Sequence, residues 1–156
     1  MFRLNKLTDY GIVLMTSIAH NPELQNARDL AAASQLPLPT VSKLLKALSH
    51  GGLLVSHRGV KGGYSLSRAA KQISVAEIID VLEGPIGFTE CSVNAGTCDL
   101  EPSCLVRRNS KLISLALRGA LENLTLGDLM RPMQLGGLKP RSNIVSSINL
   151  VTGRVQ

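Results

Sequence analysis

At 156 residues and 44% hydrophobic content the chain has the material for one domain, or for one small domain with a dimerisation extension. No apolar run approaches the roughly 20 residues of a membrane span, and residues 1–9 lack the apolar stretch of a secretory signal, so no membrane partner is expected and the cytoplasm is the expected location. The net charge of +6 is partitioned, with residues 1–73 at +6, 74–104 at −6 and 105–156 at +6, which makes the first third a candidate polyanion-binding surface and turns the acidic middle away from phosphate.

The spacing of Leu7, Gly11, Leu14 and Ile18 predicts a first helix over 7–20, with Thr8 as its N-cap and an end near Asn21-Pro22. A second helix is predicted over 27–34. It cannot continue through Gln35-Leu36-Pro37-Leu38-Pro39, because a residue before proline avoids the helical region. A third helix follows from Pro39 to His50, with Pro39 at its first position and Gly51-Gly52 as its stop. Val41, Leu44, Leu45 and Leu48 form the buried stripe, leaving Thr40, Ser42, Lys43, Lys46 and Ala47 on the open side. Short hydrogen-bonding and cationic side chains of that kind suit a DNA major groove, and two short helices joined by a tight turn form a helix-turn-helix.

Residues 53–57 and 64–66 read as two short strands around Arg58-Gly59-Val60-Lys61-Gly62-Gly63, a small two-stranded wing. The glycine-rich turn is not a phosphate-binding loop, because the G-x4-G-K-[ST] pattern and its βαβ context are missing. Lys43, Lys46, Lys61 and Arg68 are the expected phosphate contacts. Ser74-Val75-Ala76-Glu77 is a capping box that starts a helix with Val75, Ile78, Ile79 and Leu82 inward, ended by Gly84-Pro85. After the cysteines, Pro102 opens a predicted long helix through about Asn123 with apolar residues Leu105, Leu112, Ile113, Ala116, Leu117, Ala120 and Leu121. At ~33 Å it exceeds what the earlier helices can cover, so a second copy of the chain is its expected partner. Thr125 to Asp128 cap one short turn. Residues 131–156 lack a period and are expected to be a flexible tail.

All three cysteines, Cys91, Cys98 and Cys104, fall in one turn-rich stretch with spacing C-x6-C-x5-C. Thiolates so gathered suit an iron-sulfur cluster or structural zinc, and three leave one coordination position for another residue. A redox disulfide with a spare thiol, or three inert core cysteines, are the plainer readings. An enzyme would need a base and a pocket beside the thiols. His20, His50 and His57 all lie in the basic first third, so neither catalysis nor a small-molecule substrate is expected.

Leu7-Thr8-Asp9-Tyr10-Gly11, Gly62-Gly63-Tyr64-Ser65-Leu66, Ile73-Ser74-Val75-Ala76-Glu77-Ile78 and the cysteine triplet before a long helix occur in an order that resembles the iron-sulfur winged-helix regulators typified by IscR and NsrR. The likeness covers residues 1 to about 130. Lys6 to Gly11 together with Leu82-Glu83-Gly84-Pro85-Ile86 and Thr89-Glu90-Cys91 is most similar to regulators of the SUF cluster-assembly operon. The resemblance implies a mainly α fold: a winged helix-turn-helix DNA-binding domain over 1–84, a cysteine cluster-binding loop over 85–104, a dimerisation helix and cap over 105–130, and the tail. It also implies a homodimeric repressor on a double-stranded DNA operator. Cys91, Cys98 and Cys104 would ligate a [2Fe-2S] or [4Fe-4S] cluster, Thr40, Ser42 and Lys43 would read the groove, and Arg58 would enter the minor groove. A nitric oxide or redox sensor of the same fold, and a structural zinc protein, are the alternatives. Two departures stand out. The first cysteine gap is one residue longer than usual, and Arg107 occupies the place of the histidine ligand, where a permanently protonated side chain cannot bind iron. The remaining fourth-ligand candidates are Asp9, which NsrR-type members supply from the partner subunit, and the local carboxylates Glu90, Asp99 and Glu101.

Overall fold

The structure is a computed structural model that describes residues 4–21, 23–94, 96 and 104–132. Helix α1 runs Lys6–His20, and its cap is Asn5, whose side chain accepts the Leu7 N–H. The Asn5 backbone N–H donates to Glu83 Oε1 at 2.6 Å, which anchors the helix start to the far end of α4. That anchor displaces the expected cap: Thr8 lies inside the helix and is fully buried. Gly11 explains itself sterically, since a Cβ there would collide with Leu82 of α4.

Asn26 caps α2 (Ala27–Ser34) by accepting the N–H groups of Arg28 and Asp29. Gln35 then takes the left-handed conformation, φ 55°, and turns the chain into α3 (Leu38–His50), which starts one residue earlier than expected, on Pro37. Its predicted stripe of Val41, Leu44, Leu45 and Leu48 is buried in one core with Leu14, Met15, Ile18, Leu30, Ile73 and Ile78.

Strands β1 (Leu54–His57) and β2 (Gly63–Leu66) pair antiparallel, with Leu54 opposite Leu66 and His57 opposite Gly63. The base of this wing is stitched to the residue ahead of α2: Tyr64 donates its N–H to the Gln25 carbonyl at 2.9 Å, and Gln25 donates back at 3.4 Å. A Cβ on Gly63 would lie 2.8 Å from that carbonyl oxygen, and backbone cannot yield as a side chain can. Glycine is therefore required at the wing base.

The capping box forms as predicted at the start of α4 (Val75–Leu82). Glu77 accepts the Ser74 N–H at 2.8 Å and also pairs with Arg68. Burial works to raise the Glu77 pKa, but the Ser74 N–H and the Arg68 guanidinium outweigh it and hold the carboxyl below its ordinary 4.5. A carboxylate depressed in the folded state contributes stability above its unfolded pKa and loses it as pH falls through the folded value. Glu77→Gln should thus flatten the decline of Tm below about pH 4.5 while costing stability at pH 7, which a Tm series from pH 7 to pH 3 measures.

Past α4 come a four-residue helix α5 (Glu90–Val93), the long helix α6 (Arg107–Glu122) and the terminal turn α7 (Leu126–Leu129), capped by Thr125 with Asp128. Among the described residues α6 begins at Arg107, five positions after the expected Pro102, and its 16 residues span about 24 Å. Its first turn carries cations rather than carboxylates, which oppose the helix dipole and give it no side-chain cap. Leu126 returns to the N-terminal core, held by its N–H to the Ile73 carbonyl at 2.8 Å and by Val75 N–H to Leu124 at 2.8 Å. The expected flexible tail lies, but for its first two positions, outside the described residues.

Candidate nucleic-acid interface and thiol site

Helix α3 passes through Gly51-Gly52 directly into β1, so the open face of the helix and the wing belong to one continuous segment. Ser42, Lys43 and Lys46 on α3 are exposed and Thr40 is half-buried. Arg58 and Lys61 are exposed at the wing tip, where Gly59 adopts φ 122° and its carbonyl accepts the Gly62 N–H at 2.9 Å. Ser42, Lys43, Lys46, Arg58 and Lys61 are therefore on the surface, while Val41, Leu44, Leu45 and Leu48 hold the core. Arg68 departs from expectation. It pairs with Glu77 and donates to the Gln72 carbonyl at 3.1 Å, so its charge secures the wing to α4 instead of facing phosphate. His20 and His57 are exposed, with His20 against the Thr16 carbonyl and His57 against Ser65 Oγ, and His50 is exposed at the end of α3.

The thiol site lies where α5 packs on α6, the helix that in turn packs on α4. Cys91 sits on α5, a helical turn where a loop was expected; Thr89 starts it by donating its N–H to Ser92 Oγ at 3.1 Å. Cys104 stands just ahead of α6, with its carbonyl accepting the Arg107 N–H at 3.4 Å. Both thiols are half-buried and neither is in a disulfide, a state fit for soft-metal ligation. Cys98, Asp99 and Glu101 lie outside the described residues, and among the described ones no three His, Cys, Asp or Glu side chains group as a metal cage. Asp9 is exposed in the first turn of α1, and Glu90 is exposed beside Cys91.

Two connections around this site were not anticipated. Ser114, buried in the middle of α6, hydrogen-bonds Ser92 of α5 and the backbone of Phe88. One turn later Arg118 grips Asp80 of α4 through both terminal nitrogens, at 3.2 and 2.7 Å, and Glu122 through Nε at 2.8 Å. The Asp80 carboxylate raises the Arg118 pKa further, against the opposing effect of burial. The sequence signal for the first was two serines, Ser110 and Ser114, spaced four apart within an apolar helix.

Residues 4–132 match the Rrf2 family model, described as an iron-dependent transcriptional regulator. The chain belongs to this family. Among curated relatives, IscR of Klebsiella pneumoniae is 30% identical over 135 residues, 85% of this chain and 82% of its own length. IscR of Cronobacter sakazakii is 29% identical over 143 residues, 90% and 88% of the two chains. Among solved structures, CymR of B. subtilis, a global cysteine regulator, superposes with TM-score 0.63 at 28% identity, covering 83% of this chain and 97% of its own. The T. potens IscR structure shares the fold with TM-score 0.65 at 22% identity, covering 92% and 96%. These relatives are transcription regulators rather than enzymes, in line with the sequence reading, and the winged helix of mostly helical architecture is theirs as well.

Proposed function

We propose that this Rrf2-family protein is a homodimeric, cytoplasmic repressor that binds a double-stranded DNA operator and senses iron-sulfur status at its cysteines. Its targets would be cluster-assembly genes of the SUF type. The observation that carries the reading is the pair of half-buried, unbridged thiols, Cys91 and Cys104, flanking the packed junction of α5 and α6 in a chain of an iron-dependent family. Cys91, Cys98 and Cys104 would hold the cluster, with Asp9 of the partner subunit as the favoured fourth ligand. Bound there, the cluster supplies an iron-thiolate link that oxidants and iron starvation can break. The chain's part is to keep α5 against α6 and α6 against α4, so that the state of the thiols reaches the reading heads.

Dimerisation is supported by what α6 leaves uncovered. Its inward side holds Ser110, Ser114 and Arg118 with Leu117 and Leu121 half-buried beside them, while Ile113 is 46% exposed and Ala116 and Ala120, three and seven residues on along the same stripe, are exposed as well. Leu105 and Val106, between Cys104 and the helix, are also exposed. No helix of the described residues is long and apolar enough to cross a membrane.

Anaerobic purification with a visible spectrum and iron and sulfide assays tests the cluster; a colourless, zinc-loaded protein would remove the sensor reading. A redox sensor is the second reading, favoured by the Staphylococcus aureus CymR relative whose structure is of an oxidised form, 26% identical over 85% of this chain. It would appear as thiol oxidation without iron. For the DNA interface, log K should fall steeply with log salt, and Lys43→Ala, which removes one phosphate contact per protomer, should reduce that slope by about 2. Arg58→Ala should weaken binding more on a site with a narrow A·T minor groove than on one without it. Salt-insensitive binding would reject the interface.

A further inference from the structure

The most buried positions of helix α6 are serines: Ser110 and Ser114 are each only 6% exposed. A buried hydroxyl costs stability unless its proton and lone pairs are used, and those of Ser114 are. Its Oγ accepts the Phe88 N–H at 2.9 Å, a contact that reaches across 26 residues. The same Oγ lies 2.8 Å from Ser92 Oγ and 2.8 Å from the Ser110 carbonyl. The direction between the two hydroxyls follows from Ser92, whose proton goes to the Thr89 carbonyl at 2.5 Å while its oxygen accepts the Thr89 N–H at 3.1 Å. With the Ser92 proton on the Thr89 carbonyl, the proton between the two hydroxyls is that of Ser114, and the Ser110 carbonyl competes with Ser92 for it.

A second feature closes the same junction. Gly87 has no Cβ because one would strike Val93 of α5 and lie 3.1 Å from Ser92 Oγ. The segment 87–89 therefore wraps the helical turn that carries Cys91, and Thr89 Oγ1 lies 3.4 Å from Cys91 Sγ. Ser92 is the immediate neighbour of that cysteine. Serine at 114 is short enough to let the two helices approach and polar enough to fix both a backbone amide and a side chain of the thiol-bearing turn, which neither alanine nor leucine could do.

We propose that Ser114 is a positioning residue for the thiol site: through Ser92 and the Phe88 amide it latches α5, and with it Cys91, onto α6. The latch lies four residues, one helical turn, ahead of Arg118, which ties α6 to Asp80 of α4, so a change at Cys91 has a short mechanical route to the DNA-binding core. Its role in sensing rests on the function proposed above; the latch itself does not.

The test uses the full-length protein and three variants, Ser114→Ala, Ser92→Ala and the double substitution, with Ser110→Ala as a control of equal burial on the same helix face. In metal-free protein, amide hydrogen exchange at Phe88 and across α5 should rise about tenfold in Ser114→Ala, with no further rise at Phe88 in the double variant, where only the α5 start that Ser92 itself caps loosens further, and little change in Ser110→Ala. Exchange in α1, α3 and α4 should stay at the wild-type rate. In anaerobically purified protein, the same Ser114→Ala variant should lose its visible absorbance in air several-fold faster than wild type and the Ser110→Ala control. Unchanged α5 exchange, or an increase spread through α1 and α3, would overturn the latch. Equal rates of absorbance loss in wild type and variant would overturn its link to the thiols. Wild-type protein that holds no iron would overturn the proposed function instead, and the exchange measurement would still decide the latch.

Discussion

Ile113→Asp should yield a folded monomer that no longer binds an operator. Ile113 is 46% exposed in the single chain and lies outside the central core, so placing a carboxylate there leaves the winged helix intact. In a two-fold seam the same change acts twice, and burying an unpaired charge costs about 3 kcal/mol or more at each copy. Two copies raise the dimer dissociation constant by roughly four orders of magnitude, enough to leave monomer at micromolar concentrations. Operator affinity should fall with it, because two half-sites are held by two linked reading heads. Sedimentation reads the first effect and a titration with operator DNA the second, while an unchanged circular dichroism spectrum shows that folding is retained. The structure favours Ile113 over Leu117 for this purpose. Leu117 is half-buried on the side nearer Ser114, so its substitution would mix lost folding with lost assembly. A variant that remains dimeric by sedimentation would place the interface elsewhere.

The DNA-binding domain was legible because its signals are local. Pro37 and Pro39 interrupt the chain between two amphipathic segments, Gly59 and Gly62 mark the wing turn, and Ser74 with Glu77 announces a helix start within four residues. Periodicity then sorted Val41, Leu44, Leu45 and Leu48 from Ser42, Lys43 and Lys46, and burial follows that division. The misreadings arose where a distant partner decides. Thr8 has the chemistry of a cap, but the hydrogen bond from Asn5 to Glu83, 78 residues away, moves the helix start upstream and buries Thr8. Arg68 reads as one more cation on a basic face until the fold sets it against Glu77. Helix α6 shows the same limit. Its apolar residues were expected to meet a second copy of the chain, and nothing in their spacing named Ser110, Ser114 and Arg118 as positions turned to its own domain, where Ser92, Phe88 and Asp80 lie opposite them. Pairings between segments that are not periodic in either one leave no trace in spacing. Of the site, the cysteine triplet was visible at once, and the serine latch that holds one of its members was not.

Loss of any one cysteine, Cys91→Ala, Cys98→Ala or Cys104→Ala, should abolish the visible absorbance of anaerobically purified protein and fix operator affinity at its metal-free value. A cluster held by three thiolates and one weaker donor has no spare ligand, so removal of a thiolate leaves only two thiolates and the weaker donor in place and exposes the iron to solvent. Asp9→Ala is the graded counterpart. An oxygen donor is a poorer ligand for iron-sulfur clusters than thiolate, so its loss should shift the spectrum and accelerate cluster decay without preventing assembly. Asp9 is exposed on the first turn of α1, three residues from Lys6, as a ligand serving a partner subunit has to be. A carboxylate at that position also favours the helix dipole, by roughly 0.3 to 1 kcal/mol. The two roles separate by readout. If Asp9 serves the dipole alone, Asp9→Ala lowers Tm slightly and leaves the spectrum and the ratio of metal-bound to metal-free operator affinity untouched. If it is a ligand, that ratio collapses toward one while dimerisation persists, since the link between the thiol site of one chain and α1 of the other is cut and the cluster can no longer shift the balance between the two arrangements of the reading heads. Full absorbance in a cysteine variant would dismiss the cluster assignment. An unaltered affinity ratio in Asp9→Ala, with the cysteine variants behaving as expected, would move the fourth position to Glu90, Asp99 or Glu101.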